Sequence, residues 1–355
     1  MNAMPKTMKA AILVNLKSPL VITELAMPEQ LAVGQVLVKV HYSGICGSQI
    51  GEIDGAKGED KFLPHLLGHE ASGTVMQIGA GVRHVKSGDS VVLHWRKGLG
   101  IESETPNFSW EGRKVNAGWV TTFNEYAIVS ENRVTPIPPD SDMQVAALFG
   151  CAVTTGFGVV ENNTKLRIGE SVVVFGAGGV GLNIVQAAAL VSAYPVIAVD
   201  LHDAKLELAR QMGATHLINS SQCDARLEIL KIVGNAGVDA FIDNTGQPSI
   251  IEMGYELVKP QGRVTLVGVP RKGNAISIYS LPLHFGKILS GSHGGEAIPQ
   301  SDIPRYHQLF RNGRIKLKNL ISRTYSLDRI NDALGDMRSG ALAGRCMISM
   351  GTELG

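Results

Sequence analysis

The sequence predicts an α/β protein in which a β-rich body is joined to a doubly wound parallel sheet. Three observations carry that prediction. The first 150 residues hold short β-forming runs bounded by Gly, Asp or Pro, and from about residue 153 strands alternate with helical runs. Between one strand and one helix sits a glycine-rich turn, Gly176-Ala-Gly-Gly-Val-Gly181. A chain of 355 residues suits two domains, and 44% hydrophobic against 18% charged residues gives full cores.

In chain order, Val36–Val40, Gly73–Ile78, Ser90–Leu93 and Tyr126–Val129 read as strands, with Gly88-Asp89 and Pro136-Ile-Pro-Pro139 as punctuation. This half is expected to be an irregular all-β body. Ser171–Phe175, Pro195–Val199, Asp239–Ile242 and Arg263–Val267 then read as buried parallel strands. Asp203–Met212, Ala225–Val233 and Ile250–Val258 read as the helices between them, with Gly213 and Gly262 as helix stops. The last sixty residues return to mixed helix and strand.

Several classes are excluded. Lys plus Arg (33) balances Asp plus Glu (32), so a net charge of +1 gives no pull toward nucleic acid or an anionic membrane. The N-terminus has no apolar leader, and four widely spaced cysteines (46, 151, 223, 346) suit a reducing, cytoplasmic setting. Ser171 to Val199 is charge-free and long enough to span a bilayer, but its glycines and Pro195 divide it into strand, turn, helix and strand. No membrane association is expected.

The glycine-rich turn follows a strand and opens a helix, which is the context a dinucleotide needs. Gly176 makes the tight turn, Gly178 and Gly179 let backbone approach a pyrophosphate with Val180, and Gly181 permits close helix–strand packing. Asp200 closes the next strand 24 residues after Gly176. A carboxylate there accepts from ribose hydroxyls and repels a 2′-phosphate, favouring NAD over NADP.

Cys46-Gly-Ser48, Gly68-His69-Glu70 and Gly150-Cys151 place two thiols and an imidazole in the β-rich part. Such a donor set suits Zn²⁺ with a fourth position left open, although by spacing alone such residues are more often core residues than ligands. Together with Cys151-Ala-Val-Thr-Thr-Gly156 and Gly176–Gly181, these segments resemble the zinc-dependent medium-chain alcohol dehydrogenases over nearly the whole chain. The Cys151 segment is most similar to the alcohol/glutathione-dependent formaldehyde dehydrogenase branch.

That resemblance implies a GroES-like catalytic domain (residues 1–152 and 294–355) and a Rossmann NAD-binding domain (153–293). It implies Cys46, His69 and Cys151 as catalytic zinc ligands, Glu70 as the acid that approaches the metal, and Ser48 as the first proton acceptor. Thr155, Val267 and Val269 fall at the nicotinamide, Lys205 beside Asp200 at the ribose, and Arg345 at the pyrophosphate. Trp95 falls at the wall of the substrate pocket.

The departures are specific to this chain. The segment from His94 to Trp119 contains no cysteine, so one zinc per chain is expected and no structural zinc. Gln49 replaces an Asp that hydrogen-bonds the ligand His, Gly51 a His that ends the proton relay, and Gly47 a basic phosphate contact. Trp95, Trp110 and Trp119 all lie in this segment, either packing it or facing substrate. The expected activity is reversible hydride transfer between NAD and a small-molecule alcohol, polyol or sugar derivative, in a homodimer or homotetramer. The rivals are a zinc-free quinone or enone reductase of the same superfamily, or a non-catalytic NAD-binding protein.

Overall fold

The computed structural model describes residues 4–340 and 342–351. They form two compact units: one runs to Cys151 and resumes at Ile298, and the other spans Ala152–Ala297.

The first unit is built on two β-structures. Thr7–Leu13, Val21–Ala26, Asn107–Trp110, Arg113–Asn116 and His65–Leu66 close a small barrel around Met8, Ile12, Leu25, Leu66, Phe108 and Val115. The second sheet runs Val134–Pro136, Ser90–His94, Glu70–Ile78, Gln35–Ile45, Arg345–Ser349 and Ile321–Ser326, with Tyr126–Ser130 also paired to Gln35–Ile45. Strand Arg345–Ser349 pairs antiparallel with the end of Gln35–Ile45, setting Cys346 opposite Ile45. That register brings Arg345 beside the residue before Cys46. The unit is not purely β: helix Gly47–Ile53 starts directly after Cys46, and helix Pro299–Arg311 belongs to it.

The second unit is a six-stranded parallel sheet in the order His216–Asn219, Val196–Asp200, Val172–Phe175, Val238–Asp243, Val258–Leu266, Ile288–Gly291. This is the 3-2-1-4-5-6 order of a dinucleotide-binding domain, whose switch point lies at the carboxyl end of the central strand. Val173, Ile197, Phe241 and Val264 fill one side of the core.

Two local readings are corrected. The helix that the sequence pattern places at Leu182–Val191 starts three residues earlier and runs Gly179–Leu190, so Gly179 and Gly181 form its first turn with Gly178 as its N-cap. Within that turn Gly181 lies tight against the Gly176 carbonyl, where a Cβ would come within 1.9 Å. Gly262 is not a helix stop: the helix Pro248–Leu257 ends before Val258, and Gly262 lies within the strand Val258–Leu266. There a Cβ would meet the Val258 side chain at 2.7 Å, so glycine serves a tight irregularity. Gly213 is a left-handed helix cap as expected, at φ 114°. Among the described residues no single helix is long and apolar enough to cross a membrane.

Candidate metal centre and nucleotide loop

Three chain segments deliver the donors. Cys46 caps the helix Gly47–Ile53 in extended conformation. His69 follows Gly68, whose φ of +90° and contact with Thr122 favour glycine. Cys151 follows Gly150, where a Cβ would meet the Leu93 carbonyl at 2.3 Å and Glu70 Cα at 2.8 Å. Glycine at 150 therefore lets the chain pass against the Glu70 strand and hand Cys151 to the site. One ligand atom each from Cys46, His69 and Cys151 lie within 4.8 Å of one another.

The electrostatics separate the two thiols. A hydrogen bond from Cys151, the Arg345 guanidinium and His69 hold the Cys46 thiol well below the usual thiol range. Cys151 is pushed well up by that same neighbour and by burial. His69 Nε2 is buried with no hydrogen-bond partner. An orphaned imidazole nitrogen facing a thiolate–thiol pair is a donor set that would fit zinc.

Behind the donors, Glu70 and Arg345 are buried together, Glu70 Oε1 lying 3.0 Å from Arg345 Nε. Arg345 Nη1 also donates to the Ile45 carbonyl at 3.2 Å. Gly44 makes room for this pair, since a Cβ there would lie 2.5 Å from Glu70 Oε1. Gln49 is buried, accepts the Cys46 N–H at 2.6 Å and lies 2.6 Å from His69 Nδ1. Ser48 is part-exposed in the first turn of the same helix.

The second unit holds the glycine-rich loop. Gly176 has φ +94°, and no atom comes within 4 Å of a Cβ built on Gly178, which leaves open space at the helix N-terminus. Free N–H groups there suit a pyrophosphate. Asp200 Oδ2 accepts the Ala177 N–H at 2.8 Å, and Oδ1 accepts from Leu201 and His202. The carboxylate thus braces the loop as well as ending its strand, and Lys205 Nζ lies 4.0 Å away. Buried Asp243 accepts from Thr245 and Gly246, and its carbonyl takes the N–H groups of Val267 and Gly268, placing the segment from Val267 to Val269. Thr155 Oγ1 is buried with no hydrogen bond.

Residues 32–139 match the alcohol dehydrogenase GroES-like domain and residues 179–312 the zinc-binding dehydrogenase domain. An S-(hydroxymethyl)glutathione dehydrogenase of Escherichia coli is 32% identical over 94% of this chain and 97% of its own. The chain belongs to the zinc-type medium-chain alcohol dehydrogenase family. A relative of the same description from Haemophilus influenzae is 31% identical over 94% of each chain. Among solved structures, benzyl alcohol dehydrogenase from Acinetobacter calcoaceticus superposes with TM-score 0.87 at 30% identity, covering 98% of this chain and all of its own. A Burkholderia ambifaria alcohol dehydrogenase zinc-binding domain protein gives 0.88 at 28% identity, over 97% and 99% of the two chains.

Within this family frame, the tryptophans part company. Trp95 sits beside the metal donors, its ring 6.5 Å from that of His69, with Arg96 over it. Trp110 packs against the barrel core. Trp119 is exposed, with the Arg133 guanidinium 5.2 Å from its ring. Sequence reading missed a cavity of about 840 Å³ whose lining includes Gln49, His69, Glu52, Asp60, His65 and Trp119. It is walled by residues distant in sequence, so no spacing signalled it.

Proposed function

We propose that the protein is an NAD-linked alcohol dehydrogenase with one catalytic zinc and no structural zinc. The observation that carries this reading is the Cys46–His69–Cys151 donor set, half-buried at Cys46 and His69 and buried at Cys151, with its orphaned imidazole nitrogen. Zinc supplies Lewis acidity toward the alcohol or carbonyl oxygen, and the nicotinamide supplies the hydride acceptor or donor.

Each residue then has a task that its surroundings support. Cys46, His69 and Cys151 hold the metal. The Ser48 hydroxyl takes the proton of the substrate alcohol. Glu70, charge-balanced by Arg345, stands next to the donors, where it can exchange with a departing ligand. Trp95 bounds the substrate side of His69. The N–H groups at Gly178, Gly179 and Val180 take the pyrophosphate, with Gly176 and Gly181 shaping the turn. Asp200 and Lys205 hold the ribose, and the Asp200 charge selects NAD. Thr155, Val267 and Val269 hold the nicotinamide, and the unpartnered Thr155 hydroxyl suits such a contact.

Small-molecule alcohols are the substrate class, and the relatives direct the first panel to benzyl alcohol and S-(hydroxymethyl)glutathione. The enzyme works as a cytoplasmic homodimer or homotetramer. Support for assembly comes from the edge strand Ile288–Gly291, which carries exposed Ile288 and is preceded by exposed Tyr279, Leu281 and Phe285.

Zinc per chain, measured by plasma mass spectrometry on protein purified without added metal, tests the reading beside an alcohol panel with NAD⁺. About one zinc, with turnover lost in Cys46→Ala and Cys151→Ala and NAD⁺ binding kept, supports it. Active protein without zinc moves the assignment to a zinc-free reductase.

A further inference from the structure

Gln49 makes two contacts that a metal centre cannot satisfy together. Its Oε1 accepts the Cys46 N–H at 2.6 Å, one half of a capping box at the helix start. Its Nε2 then faces His69 Nδ1 at 2.6 Å. Reversing the amide would set an NH₂ against a backbone N–H, donor against donor. An amide nitrogen only donates, so His69 Nδ1 accepts and the single hydrogen of the neutral ring sits on Nε2. A metal needs the Nε2 lone pair, which moves the hydrogen to Nδ1, where it faces a donor.

We propose that Gln49 is a metal-linked positioning residue whose amide must turn when zinc binds. Without metal it caps Cys46 and holds His69 in the Nε2–H form. With metal it turns its oxygen to His69 Nδ1–H and releases the Cys46 N–H. Nε2 gives its proton to solvent and Nδ1 takes one from solvent, so the ring stays neutral throughout. The cavity beside Gln49 and His69 gives the amide room and a route for water. A carboxylate at position 49 has two accepting oxygens and would serve both partners at once, so glutamine lowers zinc affinity and ties it to a local rearrangement. The inference rests on the zinc reading above.

Zinc affinity by chelator competition and ¹⁵N solid-state spectra of histidine-labelled protein test it together. Gln49→Glu should bind zinc ~10–100-fold more tightly, the range over which groups behind a ligand act. Gln49→Met donates nothing and accepts only weakly; it should lose less than ~10-fold, where a simple acceptor role predicts a ~10–100-fold loss. In the wild type, the His69 hydrogen should sit on Nε2 without zinc and on Nδ1 with it, a readout that needs no variant to fold. A hydrogen on Nδ1 before zinc is added, or a full acceptor-type loss in Gln49→Met, overturns the switch and leaves the metal reading intact. Failure of the wild type to take up any zinc that depends on Cys46 removes the metal reading, and the switch with it.

Discussion

Glu70 and Arg345 meet in the dry interior behind the thiol pair, Glu70 Oε1 3.0 Å from Arg345 Nε, with side chains 0% and 4% exposed. Taking either charge away strands the other in a place water does not reach. Arg345→Met should therefore cost ~3–5 kcal/mol in urea unfolding, whereas the double variant Glu70→Gln/Arg345→Met should recover most of it. A single-variant loss below ~1 kcal/mol, the scale of a surface pair, would contradict the burial of this pair.

His94 gives the protein a defined acid response. It is buried, Nδ1 donating to the Arg96 carbonyl at 2.7 Å and Nε2 lying 2.9 Å from Thr135 Oγ1. Burial is the main force lowering its pKa to about 4, from the usual 6.5. The unfolded chain binds the proton first, so this residue's contribution is full above pH 6.5 and drains away as pH falls toward 4. A fall from 6.5 to about 4 corresponds to about 3 kcal/mol. His94→Gln should flatten the stability curve over that window, as read by urea midpoints at stepped pH.

The tryptophan-bearing segment should keep its structure without metal. Its hairpin, Asn107–Trp110 with Arg113–Asn116, turns at Glu111 and Gly112, both at positive φ, and joins the barrel. Glu131 clamps the approach by accepting the N–H groups of Arg83, His84 and Ile101 at 2.6, 2.8 and 2.8 Å. Arg133 adds bonds to the Trp95 carbonyl and Glu102. Chelation should leave amide exchange across 97–119 unchanged, whereas Glu131→Ala should speed exchange at those three amides and cost ~1–3 kcal/mol. Segment-wide exchange on chelation would mean that metal holds the segment.

Gly181→Ala should abolish the thermal protection that NAD⁺ gives, because its Cβ would press on the Gly176 carbonyl, 1.9 Å away, and open the turn. Gly178→Ala has open space around it and should lower the melting temperature far less in the absence of nucleotide. Equal melting temperatures for the two variants would contradict the packing at Gly181.

Much of this is legible in the sequence. Alternation of apolar runs with helical periods predicts the parallel sheet, and Gly176 to Gly181 marks the carboxyl end of its central strand, because a turn that tight tolerates few other residues. Cys46, His69 and Cys151 were candidate donors by type and by resemblance. Local pattern was weakest where glycine had two meanings: Gly179 and Gly181 read as breakers but open a helix, and Gly262 reads as a stop but sits in a strand.

What the sequence alone determined is the chemistry available: which thiols, imidazole and carboxylates exist, and the period that assigns each stretch to a sheet or a helix. Which of them meet is settled by folding. Cys46, His69 and Cys151 converge because Gly68 and Gly150 allow backbone passages that side chains would block. Arg345 reaches Glu70 because a strand 300 residues further on pairs with Ile45. Proximity across such separations follows from sheet register and close packing, which no local window of residues encodes.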